Sequence, residues 1–315
     1  MARFWPRSLW VATAAFVVAT CAPPPGPPVV TTTTSQTDGL TVVAAGDIAC
    51  DPEDVFFNGG LGDATHCQMN ATAQTATSLR PSTVLALGDI QYNAATLADF
   101  RAVYDHSWGQ LKAITHPVPG NHEYGSPGAT GYLSYFGAAA APAGTTWYSF
   151  NFGSWHVVAL DSSCDQVGGC GRSSPQGRWL AADLSANPTL CALAIWHHPA
   201  FSSARGGGIP ESEPLWSTVV AGGVDLVLNG HRHQYERFAA IGAGGSSNPA
   251  RGAREIVVGT GGKDLEAFGA AVTGSEVRLS TFGVLELTLS ATEYSFRFVG
   301  IDGSVLDQGH GVCHA

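Results

Sequence analysis

The chain has 315 residues, 44% of them hydrophobic and 13% charged, with a formal net charge of −10. That apolar content supports a sizeable core and excludes wholesale disorder. The acidic balance excludes a nucleic-acid duplex as the main partner, which needs clustered Lys and Arg. It does not exclude a phosphate substrate, because bound metal ions reverse the local field.

Arg3 and Arg7 precede an apolar stretch from Leu9 to Thr20. A dozen or so residues are too few to span a bilayer and fit a secretory signal. Val18-Ala19-Thr20-Cys21 resembles a bacterial lipobox, although Thr20 replaces the small residue usual before the cysteine. Residues 1–21 are therefore read as a signal peptide with a lipobox-like end. Two outcomes stay open, a lipid anchor on Cys21 or simple secretory cleavage. Either places the protein outside the cytoplasm, extracellular or at the cell surface. Residues 22–38 carry Pro23-Pro24-Pro25, Pro27-Pro28 and a threonine run, the composition of an extended spacer. Residues 39–315 have no second linker and no repeat, and are expected to form one domain.

Within that span, Thr41 to Ala45 is an apolar strand run ending at Gly46-Asp47. Helical spacing follows from Asn70 to Leu79, and Val84 to Leu87 is a second strand ending at Gly88-Asp89-Ile90-Gln91-Tyr92. Ala95 to Trp108 reads as one helix, with Leu97, Phe100, Val103 and Tyr104 facing inward. Gly120-Asn121-His122-Glu123 comes next, then a hairpin of Trp147–Phe150 and His156–Leu160 turning at Gly153-Ser154. Pro175 to Leu184 reads as a helix with proline in its first turn. Leu190 to Trp196 is a buried strand running into His197-His198-Pro199, and Val224 to Leu228 runs into Gly230-His231-Arg232-His233. The last third turns to strands at 255–258, 277–279, 284–289 and 294–299. Helices interleaved with strands, then strands alone, predict an α/β chain with two packed sheets and helices outside.

Seven cysteines leave one over, and Cys21 is the natural odd one. Closeness in sequence favours Cys50 with Cys67 and Cys164 with Cys170, leaving Cys191 to tie Cys313 onto a strand. No Cys-x-x-Cys pair is present, so disulfides in an oxidising compartment are expected over a zinc site.

The five motifs, each a set of hard oxygen or imidazole ligands beside glycine or proline at a strand end, resemble the calcineurin-like metallophosphoesterases. Within them they resemble the purple acid phosphatases. Gly-Asp alone carries no weight, but all five in this order do. The resemblance implies a four-layer αββα sandwich of two mixed β-sheets flanked by helices. It implies two metal ions, Fe(III) beside a divalent Zn, Mn or Fe, and hydrolysis of phosphate monoesters by a metal-bound hydroxide. Asp89 would bridge the ions, with Asp47, Tyr92 and His233 completing the iron side, and Asn121, His197 and His231 the divalent side. Ala49 stands where many relatives carry a histidine, and Tyr92 takes that ligand's place, as in the purple acid phosphatases. His122 would assist the leaving group, and Glu123 would orient His122. His198 would either line the pocket and touch phosphate or pack behind the ligands. Two alternatives follow: a phosphodiesterase acting on nucleotides or lipid head groups, and a surface lipoprotein that binds metal or phosphate without turnover. His66, His106, His116, His156, His310 and His314 match no ligand pattern. Gly259-Thr260-Gly261-Gly262 is a candidate loop flanking the site. The expected partner is a small phosphoester, with the membrane reached only through a lipid on Cys21. The sequence leaves oligomeric state open.

Overall fold

The computed structural model describes residues 1–2 and 40–314. The signal and spacer expectations fall outside the described residues, apart from Met1 and Ala2. Strand β1 (Leu40–Ala45) leads into helix α1 (Met69–Ser78), β2 (Thr83–Leu87), helix α2 (Leu97–Ala102) and β3 (Thr115–Val118). Helix α3 (Thr130–Phe136) precedes the hairpin β4 (Tyr148–Phe152) and β5 (Trp155–Ala159). Then come α4 (Pro175–Ala186), β6 (Cys191–Ile195), α5 (Glu213–Ala221) and β7 (Leu226–Asn229). The rest is strand: β8 (Tyr235–Ile241), β9 (Ala253–Val258), β10 (Ser275–Leu279), β11 (Gly283–Leu289), β12 (Glu293–Gly300) and β13 (Val305–Val312).

These make two mixed sheets, ordered β13-β12-β11-β1-β2-β3 and β10-β8-β9-β7-β6-β5-β4. β1, β2 and β3 run parallel, as do β5, β6, β7 and β9. Strand alternation explains the layering. In β6, Cys191, Leu193 and Ile195 face the core shared with the first sheet. Ala192 and Ala194 face the opposite way, onto Leu180 of α4 and Leu215, Trp216 and Val219 of α5. Both faces of this sheet are buried, which is why β6 and β7 read as continuous apolar runs. α1 places Met69, Ala73 and Ala76 in the larger core, and touches β11. The result is the expected sandwich of two sheets between helices.

The helix expected over 95–108 is shorter. α2 starts with a capping box between Thr96 and Asp99 but ends at Ala102. The Tyr104 N–H donates to the Gln91 side chain at 3.2 Å rather than to a helical carbonyl, and tighter 3-10 turns follow. Phe100, Val103 and Tyr104 are still buried as the stripe predicted. All three expected disulfides are present, Cys50–Cys67, Cys164–Cys170 and Cys191–Cys313. They fit an oxidising compartment.

Candidate metal centre

The carboxyl ends of β1, β2, β6 and β7 meet at one place, and glycines let them meet. A Cβ on Gly46 would lie 2.9 Å from the Leu87 carbonyl and 3.2 Å from the Cα of Gly230, so the two sheets touch here through backbone. A Cβ on Gly88 would fall 2.6 Å from the His197 ring, and one on Gly120 would strike the Asp89 carboxylate. The motif glycines thus make a cradle that larger residues would fill.

Three polar residues in the cradle hold left-handed backbone: Asp47 (φ 57°), Asp89 (φ 45°) and His231 (φ 69°). Such strain, of order 1–3 kcal/mol each, collects at functional sites. It aims the side chains inward. Tyr92 is the hub: its hydroxyl lies 3.0 Å from Asp47 Oδ1, 3.1 Å from Asp89 Oδ2 and 3.0 Å from His233 Nε2. His197 is fully buried; Nδ1 lies 2.8 Å from the Leu87 carbonyl and Nε2 3.2 Å from Asp89 Oδ2. His231 donates its backbone N–H to Asp47 Oδ2 at 2.7 Å.

Two groups of donors result. Single donor atoms of Asp47, Asp89 and His197 lie within 4.8 Å of one another, and so do those of His197, His198 and His231. The second group brings in His198, whose Nδ1 sits 2.8 Å from the hydroxyl of Ser162. Asn121 is exposed on the turn after β3 and, among the described residues, makes no side-chain hydrogen bond into the cluster.

The charges suit a cation. Burial opposes a charge on His197 and His233, yet neighbouring carboxylates raise them to about 9 and about 10. Burial and the charge on His197 lower His198 to about 3 and His231 to about 2, leaving neutral rings with free lone pairs. Burial, with Asp47 and Asp89 alongside, holds the Tyr92 phenol well above its ordinary range. The carboxylates thus favour positive charge at His197 and His233. A divalent or trivalent ion would displace the protons that carry it. Among the described residues, buried His197 Nε2 has no hydrogen-bond partner of acceptable geometry. A buried nitrogen 3.2 Å from Asp89 Oδ2 but without a well-aligned hydrogen bond fits a metal ligand, and the donor set of carboxylate, imidazole and phenol suits hard or borderline ions.

Around this cluster, one expected contact is absent. Glu123 does not meet the His122 ring; His122 Nδ1 lies 2.7 Å from the Asn93 carbonyl. Glu123 is fully buried and instead accepts four backbone N–H groups, those of Asp89, Ile90, Gln91 and Gly120. These amides are buried and need an acceptor, whereas the His122 ring finds the Asn93 carbonyl. Burial and the nearby Asp89 raise the Glu123 carboxyl to about 7. His122 packs on Tyr92, ring centroids 4.1 Å apart, with Nε2 4.0 Å from Asp89 Oδ2 and its side chain 30% exposed. It lines the mouth of the cluster.

Sequence reasoning missed Asp264, which accepts from His233 Nδ1, and Ser162, which meets both the ring and the backbone N–H of His198. Neither stands in a motif. The glycine run at 259–262 does flank the site, with Gly261 N–H donating to the Gly46 carbonyl at 2.9 Å. Four of the unassigned histidines have structural partners: His66 stacks on Phe56, His116 on Phe150, His156 pairs with Asp183 and His314 with Asp225.

A model of the calcineurin-like phosphoesterase family matches residues 40–235, from β1 through the last histidine motif. The chain belongs to that family. Members of this dimetal family supply the context for the donor cluster above. Purple acid phosphatase 18 of Arabidopsis thaliana is 34% identical over 125 residues, 37% of this chain and 26% of its own length. "Probable inactive purple acid phosphatase 9" of the same plant is 25% identical over 290 residues, 72% of this chain and 43% of its own. The chain therefore spans less than half the length of these two relatives. Among solved structures, purple acid phosphatase PPD1 from yellow lupin seeds superposes with a TM-score of 0.69 at 21% identity, over 89% of this chain and 55% of that one. GAP50, the anchor in the inner membrane complex of Plasmodium, gives 0.62 at 15% identity, over 88% and 90%. These two likenesses concern the fold.

Proposed function

We propose that the protein is an exported dimetal phosphoesterase that hydrolyses phosphate monoesters, in the manner of purple acid phosphatases. The observation that carries this reading is the convergence of Asp47, Asp89, Tyr92, His197, His231 and His233 around an unpartnered buried nitrogen. Asp47, Asp89, Tyr92 and His233 would hold one ion, and Asp89, Asn121, His197 and His231 would hold the other. The phenol of Tyr92 favours Fe(III) on its side and leaves Zn, Mn or Fe for the divalent position. When bound, such a pair neutralises phosphoryl charge and lowers the pKa of water enough to make it a nucleophile.

The chain's own groups do the rest. Glu123 fixes the Asp89 loop through its backbone, so the Asp89 carboxylate is held before substrate arrives. The Asn93 carbonyl sets the His122 ring by accepting from Nδ1, which leaves Nε2 to face the mouth and meet the ester's leaving oxygen. His198, held by Ser162, lies beside His197 and His231 and contacts the phosphate or steadies those rings. Residues 1–21 are assigned as the export signal and 22–38 as a spacer ahead of the catalytic domain at 39–315.

The test is turnover of an aryl phosphate monoester beside the matching diester, with metals assayed on the same protein. Monoester turnover with two metals per chain, one of them iron with a visible tyrosinate band, supports the reading. Diester preference keeps the centre and changes the substrate. Two bound metals without turnover move the protein to a binding role.

A further inference from the structure

After β9 the chain does not leave the site. Gly261 N–H donates to the Gly46 carbonyl and Lys263 N–H to the Asp47 carbonyl, at 2.9 and 3.0 Å. On the other side, Cys67 and Gln68 donate to the carbonyls of Lys263 and Gly262, at 2.8 and 2.7 Å. Segment 261–264 is thus stitched between the Asp47 turn and the loop closed by Cys50–Cys67. The close packing needs the glycines: a Cβ on Gly262, at φ 146°, would meet Met69 backbone at 2.5 Å.

The stitched segment delivers two charged side chains to one corner. Asp264 Oδ1 sits against His233 Nδ1, and His233 Nε2 then points at Tyr92 and Asp47, 3.0 and 3.2 Å away. Lys263 is largely buried; its Nζ lies 2.7 Å from Asp54, 3.9 Å from Asp264 and 5.5 Å from the Tyr92 ring centroid. Lys263 therefore tethers the segment that carries Asp264 to the disulfide-closed loop.

We propose that Asp264 is the positioning residue of the Tyr92–His233 corner. It accepts the Nδ1 proton, which fixes the ring's tautomer and rotation and leaves the Nε2 lone pair directed at the ion beside Tyr92. This rests on the dimetal reading above. A carboxylate behind a ligating imidazole does two things: it holds the ring against rotation, and it makes the ligating nitrogen a better donor. His231 has no such carboxylate among the described residues, and His197 Nδ1 meets the Leu87 carbonyl instead, so a carboxylate behind the ring is particular to His233.

The experiment compares Asp264→Ala, Asp264→Asn, Asp264→Glu and Lys263→Met with the unaltered protein. Metals are counted, the rate of metal loss to a chelator is followed, and the visible spectrum and the kcat and KM for an aryl phosphate are recorded. Asp264→Ala is expected to lose one of its two ions about 10–100-fold faster and to shift the tyrosinate band, since loss of such a partner costs metal affinity on that scale. Asp264→Asn should fall between, and Asp264→Glu should recover part of the loss. Lys263→Met keeps the carboxylate while breaking the tether to Asp54, so it should lose metal far more slowly than Asp264→Ala. Equal metal loss in Lys263→Met and Asp264→Ala would overturn the proposal in favour of simple loop rigidity. Unchanged metal retention and spectrum in Asp264→Ala, beside a wild type holding two ions, would also overturn it. A wild type that binds no metal would instead sink the dimetal reading, and the proposal with it.

Discussion

The carboxylate of Glu123 accepts the backbone N–H of Asp89 at 2.9 Å, with both residues buried. Two acids are thus held together not by opposite charge but by the amides of the loop that separates them. The amides of Ile90, Gln91 and Gly120 complete the clamp. Glu123→Ala leaves four buried donors unpaired, each a penalty of about 1–3 kcal/mol before relaxation. Unfolding of metal-free protein in urea should show a loss of several kcal/mol, with Glu123→Gln losing less. A loss under 1 kcal/mol in the alanine variant would mean water replaces the clamp.

His122 stands at the mouth of the cluster and is not among the assigned ligands. His122→Asn should reduce kcat about 10²–10⁴-fold, the usual span for a lost proton-transfer group, with both metals retained. Asp89→Ala, by contrast, should abolish turnover and lower the metal content. Elemental analysis of the two variants separates them; metal loss from His122→Asn would undo its catalytic assignment.

Asp161 offers a stability test away from the ligands. Burial raises its carboxyl to about 6, although Thr146, Tyr124 and the Ser163 N–H all donate to it. The folded state therefore holds this proton more tightly than the unfolded chain does. Its contribution to stability is complete below about pH 4 and is lost as pH rises through about 6. Asp161→Asn has no such proton. Between pH 4 and 7, the unfolding free energy of metal-free wild type relative to this variant should fall by about 2 kcal/mol. A pH-independent difference would show that the three donors outweigh burial.

The Cys50–Cys67 disulfide closes a loop of 17 residues against the Lys263–Asp264 segment. Cys50→Ser with Cys67→Ser should lower stability by about 3 kcal/mol, the loop-closure magnitude for this length. Chelator stripping of the double variant should be faster as well, because Cys67 N–H holds the Lys263 carbonyl. Equal stripping rates would detach the disulfide from the metal site.

Most motif residues could be found in the sequence because their chemistry is local: a carboxylate or imidazole next to glycine, after an apolar run, marks a strand end. The strands β1, β2, β6 and β7 were equally legible, being short runs buried on both faces. Other elements were not. β3 contains His116 and Pro117, and β13 alternates glycine with polar residues along an exposed edge, so neither shows an apolar period. α3 and α5, at 7 and 9 residues, are too short for intrinsic helicity and depend on burying Tyr132, Tyr135, Leu215 and Trp216.

Sequence alone determined the family, the order of the donor groups, the three disulfide pairings and the alternation of buried faces. Tertiary structure decided who serves whom. Glu123 turned from its sequence neighbour His122 to amides 32–34 positions back, Asp264 reached His233 across 31, and Ser162 met His198 across 36. A hydrogen bond depends on distance and direction in space, and a separation along the chain carries neither until the two sheets have packed.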